Sequence, residues 1–188
     1  MHKETKTDIQ SLYQQAIKFA TLKHVEQDQK VPDTELPYVV HLSNVAMEIL
    51  IAGSNTNGFD LGFAVQVALL HDTIEDTSTT FDELVNTFGL PIAMAVRALS
   101  KDSKLPKDQQ MKDSIRRIKK LQPEVWAVKL ADRITNLQPP PSYWDINKKT
   151  KYREEAKVIL AELNDGNPYL AKRLEKKIEV EVNYLYND

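Results

Sequence analysis

Apolar residues recur at helical spacing over most of the chain. Ile9, Leu12, Tyr13, Ala16, Ile17 and Ala20 mark one face of a first helix. Pro37 suits a first helical turn, and His41, Val45 and Ile49 follow at i, i+4 and i+8, which predicts a helix carrying His41 on its inward face. A third apolar run spans Phe63 to Leu70. Thr80-Phe81-Asp82-Glu83 reads as a capping box that restarts a helix after the Thr77-Ser78-Thr79 loop; Gly89 ends that helix and Pro91 begins another. Pro123 can open a further helix, Pro139-Pro140-Pro141 must end it, and Asn167-Pro168 starts a last helix reaching Leu185. The polar, lysine-bearing stretch from Ser100 to Gln110 predicts a loop. No segment alternates like a strand and no repeat is visible, so the pattern predicts an all-α helical bundle forming a single domain over residues 1–188.

The chemistry gathers at the end of the third run. His71-Asp72 places a nitrogen and an oxygen ligand side by side, and Glu75 and Asp76 follow four residues beyond each. If the helix runs on, Glu75 stacks over His71 and Asp76 over Asp72. Burying unpaired charge costs several kcal/mol or forces neutralisation, so something positive should compensate. The pair alone is equally well read as a solvated helix terminus, with His71 a core histidine and the acids capping the next turn. Two other segments bear on the choice. His41 is an inward imidazole that needs a partner. In VWAVKLADRITNLQPPP, Asp132 and Asn136 lie on one face while Lys129 and Arg133, expected to be structural or surface residues, lie on another.

Together His41, His71, Asp72 and Asp132 offer two imidazoles and two carboxylates from three helices. The chain has no cysteine, which excludes thiolate ligands, disulfides and thiol catalysis. Mixed nitrogen and oxygen ligands disfavour a structural zinc site and favour a manganese or iron type ion with positions open for water and substrate, which implies catalysis. Like charge from Asp72 and Asp76 should raise at least one carboxylate pKa and so create a proton donor.

Composition narrows the partners. Only five glycines interrupt a chain rich in Ala, Leu, Lys and Glu. A formal net charge of −2 argues against general nucleic-acid binding. No apolar stretch of membrane length and no N-terminal h-region is visible, so a soluble, cytoplasmic protein with no membrane partner is expected. Trp126 and Trp144 are expected in the core.

His41, then His71-Asp72, then Asp132 resembles the HD superfamily of metal-dependent phosphohydrolases. More specifically, PYVVHLSNVA, ALLHDTIEDTSTTFDELVNTFG, VRALSKD and VKLADRITNL look like the hydrolase domain of RelA/SpoT alarmone enzymes, including stand-alone small alarmone hydrolases, over about residues 16 to 163. HDTIEDT followed at this distance by KLADRITNL is a specific signature.

The resemblance implies an HD-type bundle in which His41, His71, Asp72 and Asp132 bind Mn2+. It implies that Glu75 and Asp76 activate or orient the attacking water and that Asn136 contacts the nucleoside sugar. Lys148 and Tyr152 would hold the 5′ phosphates, and Lys23, Gln29 and Lys101 would complete the substrate site. For Lys101, Lys104 and Lys107, a solvated basic loop is the equal alternative. The implied activity is manganese-dependent removal of pyrophosphate from the 3′ position of a nucleotide alarmone, (p)ppGpp or (p)ppApp. The nucleotide is a small-molecule partner, and a homo-oligomer is compatible with the chain. A synthetase domain does not fit after Leu163, so degradation without synthesis is expected.

One region departs from the family pattern. Where the family reads His-x-Gly-Gln-x-Arg against the nucleobase, this chain reads His24-Val25-Glu26-Gln27-Asp28-Gln29, followed by an insertion-like Val31 to Leu36. A glutamine can pair with an adenine edge, so relaxed guanine selectivity is expected. Two rival functions remain: another HD-superfamily nucleotide phosphohydrolase, separated by its products, and an inactive alarmone-binding module, separated by turnover with manganese.

Overall fold

The run from Leu61 to Leu70 is apolar on nearly every side, and a helix of that composition is stable only when surrounded. It forms α3 (Leu61–Leu70), with Ala64, Val65, Val67, Ala68, Leu69 and Leu70 all buried. Around it pack α1 (Ile9–Val25), α2 (Val39–Ser54), α6 (Leu90–Leu99) and α8 (Pro123–Asn136). This computed structural model describes residues 8–137 and 144–186, with side-chain surroundings up to residue 179. The shorter α4 (Thr73–Asp76) and α5 (Phe81–Phe88) follow α3; α7 (Lys107–Ile118) follows α6; α9 (Ile146–Leu163) and α10 (Pro168–Tyr186) pack on each other and on α8. Among the described residues there is no strand, only an isolated bridge between Lys30 and Pro37 that closes the turn after α1. The architecture is the all-α bundle that the apolar spacing predicts.

Helix ends are fixed by local hydrogen bonds. The Asp60 carboxylate accepts from Phe63 N at 3.0 Å and starts α3, while Glu124 accepts from Asp60 N at 3.0 Å and ties that start to the first turn of α8. Thr80 caps α5 by accepting from Glu83 N at 3.1 Å, and Gly89 ends it with φ 87°, a conformation that glycine adopts without penalty. Asn167 accepts from Leu170 N at 3.1 Å and donates to Thr56 Oγ1 at 2.9 Å, so one side chain caps α10 and ties it to the end of α2.

Four expectations are corrected. α3 does not run on through Glu75 and Asp76: it stops at Leu70, and His71 and Asp72 lie in a break before α4. The break is stable because Thr73 Oγ1 donates to Leu70 O at 2.7 Å and His71 Nδ1 binds Ala68 O at 2.7 Å, replacing helical partners. The loop after Ser100 ends at Pro106, whose fixed φ and missing N–H suit the entry to α7. Trp144 is only half-buried and stands edge-on to Tyr152, with ring centroids 5.3 Å apart, instead of joining the core. Lys129 does not lie on a face apart from Asp132, to whose carboxylate it donates; of the structural and surface alternatives, it and Arg133 take the buried, structural one, at 8% and 4% exposure. Trp126 packs against the core with its indole N–H donating to Leu121 O at 3.0 Å. Pro139, Pro140 and Pro141 lie outside the described residues.

α8 carries Asp132, so its seating matters to the site. Gly166, in the turn Asn164–Gly166, lies so close to α8 that an added Cβ would stand 2.4 Å from Trp126 Cβ and 3.0 Å from Ala127 N. Overpacking of this kind costs about 1–3 kcal/mol. Gly166→Ala is therefore expected to lower the urea midpoint by a corresponding amount. An unchanged midpoint would mean that the turn moves away from α8 freely.

Candidate metal centre

Three helices bring four candidate ligand side chains close together. His41 comes from the first turn of α2, Asp132 from the last turns of α8, and His71 and Asp72 from the break after α3. His41, His71 and Asp132 are 6%, 2% and 6% exposed, and their nearest ligand atoms all lie within 4.8 Å of one another. The Nε2 atoms of the two imidazoles are 3.4 Å apart; Asp72 Oδ2 is 3.0 Å from His71 Nε2 and 3.7 Å from His41 Nε2; Asp132 Oδ1 is 3.7 Å from His71 Nε2 and 3.6 Å from His41 Nε2. A cation with bonds of about 2.0–2.2 Å separates adjacent ligands by roughly 3–3.5 Å, so this spacing fits one divalent ion. The break after Leu70 serves this geometry, because His71 and Asp72 reach the same point only if they leave helical register.

Neighbouring groups orient the ligands. Ala68 O holds His71 Nδ1 and leaves Nε2 for the centre. The Tyr38 hydroxyl donates to Asp72 Oδ2 at 2.5 Å; Lys129 Nζ donates to Asp132 Oδ2 at 3.0 Å, and Asn136 Nδ2 donates to Asp132 Oδ1 at 2.5 Å. Burial would push both carboxyls up. The charges around Asp132, from Lys129, His71 and His41, hold it well below the ordinary range, and His71 does the same for Asp72. Burial also opposes charge on His71, yet Asp72 and Asp132 outweigh it and hold that imidazole well above its ordinary value, while burial and the His71 charge push His41 down. The Tyr38 phenol is pushed far up by burial and by Asp72, so it remains a donor.

The two further acids differ in their surroundings. Glu75 Oε2 accepts from the Lys101 backbone N–H at 2.7 Å and Oε1 from its ammonium at 3.2 Å, so both oxygens are engaged. Lys101 stands in the loop after α6, which Arg117 secures by donating to the carbonyls of Arg97, Ala98 and Ser100. Among the described residues Asp76 accepts one bond, from Gln29 Nε2 at 2.9 Å, and burial and Asp72 push its carboxyl up.

The remaining expected substrate residues have partners of their own. Lys23 pairs with Glu83 at 2.8 Å. Lys148 lies over the Trp144 ring with its ammonium 4.2 Å from the centroid, and the Arg133 guanidinium lies 4.2 Å over Tyr152. Gln29 binds His24 and Asp76. Sequence reasoning passed over Tyr38 and Arg117 and gave Lys129 no part in the centre. Tyr38 stands three residues before His41 and Lys129 three before Asp132, so helical spacing could have flagged both; Arg117 carries no such signal.

Because two carboxylates hold a proton on His71, a cation must displace it. Titration of the metal-free protein with Mn2+ in buffers of different ionisation enthalpy is expected to show proton release near neutrality, with affinity rising from about pH 6 to pH 8. The sign follows from the raised His71 value, which keeps the competing proton bound above the usual imidazole range. His71→Ala should weaken binding and abolish that proton release. Equal affinity across the range, without protons released, would contradict this electrostatic picture.

Comparison with known proteins agrees with the geometry. The HD domain family model matches residues 16–167. The guanosine-3′,5′-bis(diphosphate) 3′-pyrophosphohydrolase MESH1 of Danio rerio is 31% identical over 166 residues, covering 86% of this chain and 89% of that protein. The guanosine-3′,5′-bis(diphosphate) 3′-pyrophosphohydrolase of Aquifex aeolicus is 32% identical over 155 residues, which is 80% of this chain but 20% of that longer protein. Among solved structures, one described as a metazoan ortholog of SpoT that hydrolyzes ppGpp and plays a role in starvation responses superposes with a TM-score of 0.76 at 27% identity, over 90% of this chain and 94% of that one.

Proposed function

The chain belongs to the HD domain family, and from that premise we propose that it is a metal-dependent 3′-pyrophosphohydrolase of nucleotide alarmones. The observation that carries the reading is the convergence of His41, His71, Asp72 and Asp132 beside the acid pair Glu75 and Asp76. The likeness to MESH1 over most of both chains supports it. Mn2+ is the proposed ion, since two imidazoles and two carboxylates without thiolate suit a borderline-hard divalent cation. When bound, such an ion supplies Lewis-acid activation of water and neutralises charge on the attacked phosphoryl group.

The reaction adds water across the bond between the 3′ oxygen and its phosphorus. The water oxygen joins the phosphorus, pyrophosphate leaves with it, and the 3′ oxygen takes up a proton. Glu75, with both oxygens held by Lys101, is suited to orient the water. Asp76, with one oxygen bonded to Gln29 and its pKa raised, is suited to exchange the proton. Asn136 is assigned to the sugar, and Lys148 and Tyr152 to the 5′ phosphates, with Lys23 and Lys101 as further cations near the substrate. A cytoplasmic setting belongs to the same reading.

Both purine alarmones fall within the proposal. The family's arginine, which can stack on or donate to a guanine, is replaced here by Gln29, whose amide is spent on His24 and Asp76. Guanine selectivity should therefore be relaxed, without Gln29 itself pairing with adenine. Parallel assays with Mn2+ on guanosine and adenosine 3′,5′-bis(diphosphate) are expected to yield pyrophosphate and the nucleoside 5′-diphosphate from each, with kcat/KM values within a hundredfold. Orthophosphate or tripolyphosphate as product would instead indicate another HD-type phosphohydrolase, and metal binding without turnover an inactive binding module.

Glu75→Gln, which loosens the hold on the water, and Asp76→Asn, which removes the proton carrier, are each expected to retain the metal while losing roughly 10²- to 10⁴-fold in rate. A loss below about threefold in either variant would remove that residue from the chemistry.

A further inference from the structure

Gln29 occupies an unusual position for a residue expected to face a base. Its backbone is held at both ends, with its N–H donating to His24 O at 3.0 Å and its carbonyl accepting from Tyr38 N at 3.2 Å. The preceding Asp28 adopts φ 48°, so the turn presents Gln29 back toward α1 and α4. Its side chain then bridges His24 of α1 and Asp76 of α4. Oε1 lies 2.5 Å from His24 Nδ1, and Nε2 lies 2.9 Å from Asp76 Oδ2.

The direction of these bonds follows from chemistry. An ionised carboxylate only accepts, so the amide must turn its NH2 to Asp76 and its oxygen to His24. His24 Nδ1 must then carry the proton. His24 is 1% exposed, burial pushes its pKa down, and its ring lies 4.7 Å from that of Tyr38, which in turn donates to Asp72. The neutral imidazole is thus a fixed donor, clamped by packing, that sets the amide; the amide in turn sets one oxygen of Asp76.

We propose that Gln29 is a positioning residue for the hydrolysis: anchored by His24, it holds the Asp76 carboxylate in a single orientation through Oδ2 and leaves Oδ1 for the reacting groups. The role deepens the alarmone-hydrolase reading and rests on it. It also separates Gln29 from base recognition, because both ends of its amide are already committed. Positioned groups lose catalytic power when displaced by about 1 Å, so the effect belongs in kcat and not in binding.

The test compares Gln29→Leu, which removes both bonds at similar size, with Gln29→Glu, which keeps an acceptor for His24 but turns an anion toward Asp76. Gln29 is partly exposed, so both variants should fold. Each is expected to lower kcat about tenfold or more on guanosine and adenosine 3′,5′-bis(diphosphate) alike, with KM and Mn2+ affinity within about twofold. In an Asp76→Asn background the same substitutions should add little, since the group being positioned is gone. Long-range proton–nitrogen correlation of His24 should report a neutral ring protonated at Nδ1 in the wild type.

A changed guanosine-to-adenosine ratio would make Gln29 a base reader and overturn the proposal. So would wild-type kcat in Gln29→Glu, losses that multiply with Asp76→Asn, or a His24 ring protonated at Nε2. A wild type that releases no pyrophosphate from either nucleotide would defeat the functional reading itself and the positioning role with it; an active wild type with indifferent Gln29 variants would defeat only the latter.

Discussion

The constraint on which the rest depends is a concentration of carboxylate charge at the buried end of an apolar helix. α3 is enclosed by four other helices, and its last residue delivers the chain directly into His71 and Asp72. Asp132 arrives there from α8, nearly as buried as the histidines. Such charge persists in a protein interior only with matching donors or cations. Here Tyr38, Lys129 and Asn136 each spend a hydrogen bond on one of the two carboxylates, and the His71 imidazole supplies further positive charge. The same demand explains the break after Leu70, since a continuous helix would carry Asp72 away from His41 and Asp132.

Around that centre the chain is arranged asymmetrically. The turn between α1 and α2 reaches it twice, through Tyr38 to Asp72 and through Gln29 to Asp76. The loop between α6 and α7 reaches it once, where Lys101 engages both oxygens of Glu75. Adjacent acids in α4 therefore acquire different characters. Glu75 has one oxygen on the backbone N–H and the other on the ammonium of Lys101, whereas Asp76 accepts from the neutral Gln29 amide and lies in the field of Asp72, which with burial pushes its carboxyl up. A difference of this kind between neighbouring carboxyls is what acid-base chemistry at a phosphoryl centre requires. The remote bonds of Arg117 to the end of α6 belong to the same arrangement, because they fix where Lys101 stands.

Much of this was legible in the sequence, for identifiable reasons. The bundle could be read because apolar spacing is a local property; Thr80, Gly89 and Asn167 announced helix ends by their own chemistry. The candidate ligands could be read because His41 sits at helical spacing with Val45 and Ile49, and because the His71-Asp72 pair, ambiguous by itself, is joined by His41 and Asp132 from two other helices. The break at His71 was not legible, since nothing between Leu70 and Glu75 forbids a helix and only the need to meet His41 and Asp132 imposes the turn. Nor was the burial of Lys129, whose charge is tolerated only because Asp132 is within reach. The partners of Gln29 were hidden for a related reason. Its position against the family pattern suggested a base contact, while its partners His24 and Asp76 are 5 and 47 residues away, and the second of these comes close only in the folded chain.

The central claim is that this cluster directs water onto the 3′ phosphorus of an alarmone. Its most direct test is hydrolysis of guanosine 3′,5′-bis(diphosphate) by the manganese-loaded protein in ¹⁸O-enriched water, with both products analysed by mass. The account predicts one heavy oxygen in the released pyrophosphate and none in the nucleoside 5′-diphosphate. Label in the nucleoside product, or release of orthophosphate without pyrophosphate, would contradict it.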